Sequence, residues 1–222
     1  VTVRKLMDND QFDDALLRAA MERAALYGWA RLSVVDAARD AGMPLEEARR
    51  RFPAKTAILL KLGRLADESA LVDDGSTGTV REQLFDALMR RFDVLQQYRE
   101  GVRAVMRALP FDPALALFLA ATTAQSMRWM AGAAGLDTSG PLGALRLQGL
   151  IGVWTYTMRA WERDDTEDMS RTMAALDQAL DRAGRLGSLL ARRGAATPAA
   201  GPAMEPIDPA IDLPLDPQAE PR

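Results

Sequence analysis

The feature that most restricts this chain is a helical repeat that scarcely pauses. Across residues 12–190 apolar side chains recur three and four positions apart in a background of Ala, Leu, Met, Arg and Glu. Alanine and straight-chain residues lose little freedom in a helix, β-branched clusters are short, and no segment alternates with the period of two that a half-buried strand requires. The expected class is all-α.

The breaks in that repeat divide it into elements. A first helix is expected over residues 12–27, with Gly28 just past its end. A second begins at Ser33, whose hydroxyl can accept from the free amides of the first turn while Asp36 reaches back as the acid of a capping box, and it ends at Gly42. Gly42, Met43 and Pro44 turn the chain into a short helix over residues 45–52, with Pro44 suited to a first helical position. Two short helices around a tight glycine turn make a helix-turn-helix pattern. Pro53 closes this head, and a longer helix over residues 53–71 is expected to join it to the body. Turn-forming Asp, Gly, Ser and Thr fill residues 72–79 and mark a junction. Five body helices follow, over residues 80–97, 98–109, 113–134, 141–163 and 166–190, and they could enclose a pocket. From about Gly194 the chain turns to Ala, Pro, Asp and Glu, too poor in large side chains to offset its ordering entropy, and reads as a disordered acidic tail. The expected domains are thus a head at 1–71, a helical ligand or dimerisation domain at 72–193, and the tail at 194–222.

Composition narrows the function. The chain contains no cysteine and no histidine, which removes thiolate nucleophiles, zinc-thiolate sites and the commonest general base. No glycine-rich phosphate loop follows a strand pattern, so a binding protein without cofactor or metal is expected rather than an enzyme. No charge-free apolar run reaches the roughly 20 residues of a membrane span, and residues 1–10 have no secretory-signal pattern, so the expectation is a soluble, cytoplasmic protein. With a net charge of -3, any binding to nucleic acid has to come from a local basic surface.

Residues 15–60 supply such a surface. The order of an opening helix, "GWARLSVVDAARDAGM", a short helix and "FPAKTAILL" resembles the tetracycline-repressor (TetR) family of transcriptional regulators, most closely at Phe52, Pro53, Lys55 and Leu59. The resemblance implies a three-helix head whose recognition helix enters the major groove of a duplex DNA operator, on a body that forms a homodimer over a palindrome and responds to an apolar small molecule. It places Ser33 near a phosphate, Leu45, Glu46 and Arg49 toward the bases, and Lys55 on backbone phosphate, with Arg50 and Arg51 adding positive charge. The departures are Ala48, Arg49 and Arg50, where the family usually has a leucine and an aromatic pair, and Glu46 and Glu47, which suit the helix dipole but oppose a phosphate. The bland alternative is a solvated charged face in which the arginines pair with Glu46 and Glu47.

In the body, Leu147, Leu150, Ile151, Trp154, Thr157, Met158 and Trp161 form one helical stripe suited to a core, a dimer seam or an apolar pocket. Gly143, Gly149 and Gly152 on the same helix suit a close approach by another backbone or a ligand. Residues 115–130 are apolar with few charges, and a pocket beside them would draw on Leu119, Thr122, Met127, Gln148, Ile151, Trp154 and Met158, with Thr123 and Gln125 as further polar anchors.

This part also resembles the COQ9 family, lipid-binding proteins of ubiquinone biosynthesis with a repressor-like fold. The residues concerned are Leu145, Arg146, Leu150, Val153, Thr157, Asp164, Asp165, Thr166, Thr172, Ala175, Leu176, Asp177 and Leu180, with Gly28 and Trp29 in the head. That resemblance implies a non-catalytic lipid or isoprenoid carrier without operator binding. The pattern before this helix departs from it, reduced to Asp137, Ser139 and Gly140. The last helix sets Leu180, Leu186, Leu189 and Leu190 against Arg182, Arg185, Arg192 and Arg193, which suits a packed helix with a basic end and, as an alternative, peripheral contact with an anionic membrane.

Overall fold

A computed structural model describes residues 9–72 and 78–195. Within them the chain forms nine α-helices: α1 (Asn9–Tyr27), α2 (Val34–Asp40), α3 (Leu45–Arg51), α4 (Thr56–Ala70), α5 (Val80–Gln97), α6 (Arg99–Ala108), α7 (Pro113–Ala133), α8 (Gly140–Glu162) and α9 (Ser170–Ala195). Short 3-10 turns at Trp29–Arg31 and Leu109–Phe111 join α1 to α2 and α6 to α7. None of the helices among the described residues is long and apolar enough to cross a membrane. Apart from Gly194 and Ala195, which end α9, the segment read as an acidic tail lies outside the described residues.

The head is α1, α2 and α3 around a small core of Leu16, Leu17, Ala20, Met21, Trp29, Ala37, Ala38, Ala48 and Phe52. Ser33 caps α2 by accepting from the Asp36 amide at 3.4 Å. The reciprocal half of the expected capping box does not form, because Arg23 of α1 and Arg39 take the Asp36 carboxylate instead. Gly42 then adopts φ 65° and closes α2 with paired reverse bonds, Met43 N–H to the Ala38 carbonyl at 2.8 Å and Gly42 N–H to the Arg39 carbonyl at 3.0 Å. Pro44 is extended and caps α3 from outside rather than entering its first turn. Residues 53–55 form a turn, so α4 starts three residues later than the proline suggested.

In the body, Phe92 stacks on Trp154 with centroids 4.7 Å apart and lies 6.2 Å from Trp161, and it shares one buried apolar cluster with Leu84, Leu88, Leu95, Met130 and Leu176. The start of α5 is fixed by a complete capping box between Thr79 and Glu82. α9 begins four residues later than its apolar pattern suggests. The intervening loop is built on Asp164, whose two oxygens accept the amides and hydroxyls of Thr166 and Thr172 at 2.6–3.1 Å, and it passes through Met169 at φ 54°. α9 lies outside α8 and is tied to α5 where Arg81 reaches both Asp177 and Asp181.

Head and body meet along two seams. α1 packs on α6 so closely that a Cβ at Gly101 would lie 2.7 Å from the Met21 carbonyl oxygen. α4 packs along α5 and also touches α1 and α7, so a boundary after residue 71 follows a helix shared by both parts.

Candidate nucleic-acid interface and ligand cavity

The seven-residue helix α3 has one inward and one outward face. Ala48 is buried, and Phe52 anchors the helix end against the same core. Ala48 therefore occupies a packing position, which accounts for the small residue there. Leu45, Glu46, Arg49 and Arg50 recur on the exposed side. The arginine run is not uniform. Arg51 pairs with Asp13 of α1 at 2.6 Å and lies over the Phe12 ring, so it braces the head. Arg50 pairs with Glu47, as helical spacing suggested. Arg49 donates to the Pro53 carbonyl at 2.6 Å, and Lys55 rests 5.4 Å from the centroid of buried Trp29. Neither Arg49 nor Lys55 is ion-paired among the described residues, which leaves their positive charge uncompensated beside the turn that leads into α4. Ser33 stands at the start of α2 with its hydroxyl engaged in the cap.

The body contains a cavity of about 950 Å³ between α4, α5, α6, α7 and α8. Its walls are mainly apolar: Leu59, Leu62 and Leu71 from α4 and its end, Leu95 from α5, Val102, Val105 and Met106 from α6, Leu119 and Trp129 from α7, and Ile151, Trp154 and Met158 from α8. Arg64, Glu68 and Arg159 also border it and are exposed, which puts charge at the opening. Deep in the wall, Arg91 of α5 is ion-paired with Asp67 of α4, and Ser126 of α7 donates to the other Asp67 oxygen at 2.7 Å. The Arg91 guanidinium lies 5.0 Å from the Trp154 ring centroid, and its buried Nε makes no hydrogen bond. Burial pulls the Arg91 pKa down to about 10, so the group remains charged at neutral pH.

This architecture recurs in solved structures. A TetR transcriptional regulator from Nitrosomonas europaea ATCC 19718 superposes with a TM-score of 0.64 at 21% identity, covering 78% of this chain and 98% of that one. A TetR transcriptional regulator from Rhodococcus sp. RHA1 does so with a TM-score of 0.54 at 16% identity, covering 79% and 97%. The fold is that of the TetR regulators. No protein-family model matches the chain, and no curated protein does. The COQ9 resemblance accordingly rests on the sequence alone.

On this TetR-type fold, five of the seven residues proposed for a ligand pocket come together on the cavity wall: Leu119, Thr122, Ile151, Trp154 and Met158. Thr123 and Gln125 join them, while the Thr122 hydroxyl is already bonded back to the Phe118 and Leu119 carbonyls at 3.1 Å. Met127 is not on that wall, being fully buried in the core, and Gln148 is exposed and does not line the cavity. The cavity's enclosing set also differs from the five body helices of the sequence reading, since α4 forms one wall and α9 none. Sequence reasoning passed over Arg91, Asp67 and Ser126. The signal was present in the stripe Leu84, Leu88, Arg91 and Leu95, where an arginine takes an inward position at helical spacing. Among the described residues no group of three or more His, Cys, Asp or Glu is placed to hold a metal ion.

Proposed function

We propose that the chain is a ligand-responsive, DNA-binding transcriptional regulator that acts in the cytoplasm as a homodimer on a palindromic operator. α3 would enter the major groove with Leu45, Glu46 and Arg49 toward the bases, Arg50 adding charge, and Ser33 and Lys55 holding phosphates that set register. A second reading head, one helical turn of DNA (about 34 Å) away, would come from a second copy.

The observation that carries this reading is the double tether of α4. Lys61 holds it to Asp14 of the head at 3.1 Å, and Asp67, less than two turns on, holds it to Arg91 of the body at the cavity wall. A ligand that prefers one position of α4 over another would bias head spacing by that difference in affinity. Support for the dimer comes from α8, where Leu142, Leu145, Gly149, Gly152 and Tyr156 recur three and four apart on an exposed face. That repeat suits a close helix pair, and no atom lies within 4 Å of a Cβ added at either Gly149 or Gly152.

The carrier reading draws on the same cavity, whose apolar walls suit an isoprenoid chain, and on Glu46, whose exposed charge opposes phosphate. Most residues of the COQ9 resemblance have structural roles that suffice without a lipid. Asp164, Thr166 and Thr172 build the turn before α9, Asp177 pairs with Arg81, and Leu150, Val153, Thr157, Leu176 and Leu180 are buried. Exposed Leu186 adds little to membrane binding by a helix that is packed on α8.

Charge reversal at Arg49 and Lys55 tests the groove contacts. Wild-type protein should retain duplex DNA with strong salt dependence, and the R49E/K55E variant should lose it while keeping wild-type helicity. Unchanged retention would refute the contacts. Native mass spectrometry of the same sample tests the carrier, which requires lipid to co-purify.

A further inference from the structure

The geometry points to an amphipathic monocarboxylate, of the fatty-acid class, as the cavity's ligand, its carboxylate taking Arg91 from Asp67. This rests on the cavity being the ligand site of the proposed regulator and adds the chemistry of the ligand. A wholly apolar compound would need no cation in the wall. Arg91 is 7% exposed, faces the cavity, and has its Nε buried without an acceptor. A guanidinium offers five donors in a planar fork, and the one carboxylate it meets is shared with Ser126. A carboxylate entering from the cavity takes the place of Asp67 on the fork while its chain lies along Leu95, Val102, Val105, Leu119 and Met158. Charge favours the same class. Arg64, Arg91 and Arg159 against Asp67 and Glu68 leave the lining one positive charge in excess, and the two outer arginines meet an anion at the opening.

The swap has a consequence for α4. Asp67 is a rung between α4 and the body, so a ligand carboxylate on Arg91 loosens that rung, and an anionic ligand changes the position of α4 where a neutral one of equal bulk does not.

Isothermal titration calorimetry of the full chain with decanoate and with decanol tests this. Decanoate should bind at least ten-fold more tightly than decanol. R91M, which keeps a long apolar side chain, should abolish that preference, lowering decanoate affinity at least ten-fold more than decanol affinity. Should R91M fail to fold, D67N provides the second variant: without a competing carboxylate, decanoate affinity should rise several-fold and decanol affinity should not. Equal affinity for the two ligands, or a preference that survives R91M or is unmoved by D67N, overturns the carboxylate assignment while the apolar cavity stands as a ligand site. Failure of both ligands to bind overturns the carboxylate assignment and the ligand site together, and DNA retention, measured separately, then shows whether the head still reads operators.

Discussion

Asp164 illustrates how much a single residue contributes away from any site. Burial works against its charge, but the hydroxyls and amides of Thr166 and Thr172 outweigh it and hold its pKa down to about 2, below its ordinary 3.8. The folded state therefore binds this proton less readily than the unfolded chain does. The resulting stability, about 2 kcal/mol, is present above pH 4 and is lost as pH falls through the interval from about 4 to 2. D164N should lower the melting temperature by about 5 °C at pH 7 and show little further difference from wild type near pH 2, as read by circular dichroism. At the head, Glu46 stands exposed on the face of α3 that carries Arg49. E46Q should strengthen binding to random-sequence duplex DNA and leave folding unchanged, because it removes a repulsion and, among the described residues, no ion pair; weaker binding would mean that Glu46 is a base contact. Single residues were legible where the interaction is local, as with Ser33 and its cap. They were not legible where a distant helix intervenes, as when Arg23 takes the Asp36 carboxylate or Asp13 takes Arg51.

At the scale of elements, prolines, glycines and caps placed most boundaries. α5 spans the expected residues 80–97, and its start is held by the capping box of Thr79 and Glu82. α9 starts later than residue 166 because the chain first turns around the Asp164 carboxylate, which Thr166 and Thr172 both donate to. Partnering was harder to read, since a stripe of period 3.6 says which face is buried and not which helix covers it. Gly101 shows this: nothing in its neighbourhood of sequence announces the contact with Met21. G101A should destabilise the chain by roughly 1–3 kcal/mol, since its methyl meets backbone that cannot turn aside. A thermal melt equal to wild type would mean that α1 and α6 are free to separate. On α8, replacing Gly152 by arginine should convert dimer to monomer in sedimentation without loss of helicity, because the position is open within one chain and closed in the proposed pair. A dimer that survives the change would move the interface elsewhere.

Across the whole molecule, helical periodicity and composition sufficed for an all-α chain, and five of the seven residues proposed for a pocket lie on one cavity wall. The cavity's character was not legible, because it depends on α4 crossing from the head into the body wall and on a buried Arg91–Asp67 pair drawn from two helices. That crossing joins the two proposed activities: the helix that follows the helix-turn-helix also lines the cavity proposed for the ligand. Whether the proposed head reads a specific sequence is decided by selection of bound sequences from random duplex DNA with the purified full chain. A palindrome with two half-sites about one helical turn apart should be enriched, and the enrichment should be lost in the R49E/K55E variant. A pool that stays random after repeated rounds, from protein that carries lipid, would contradict it.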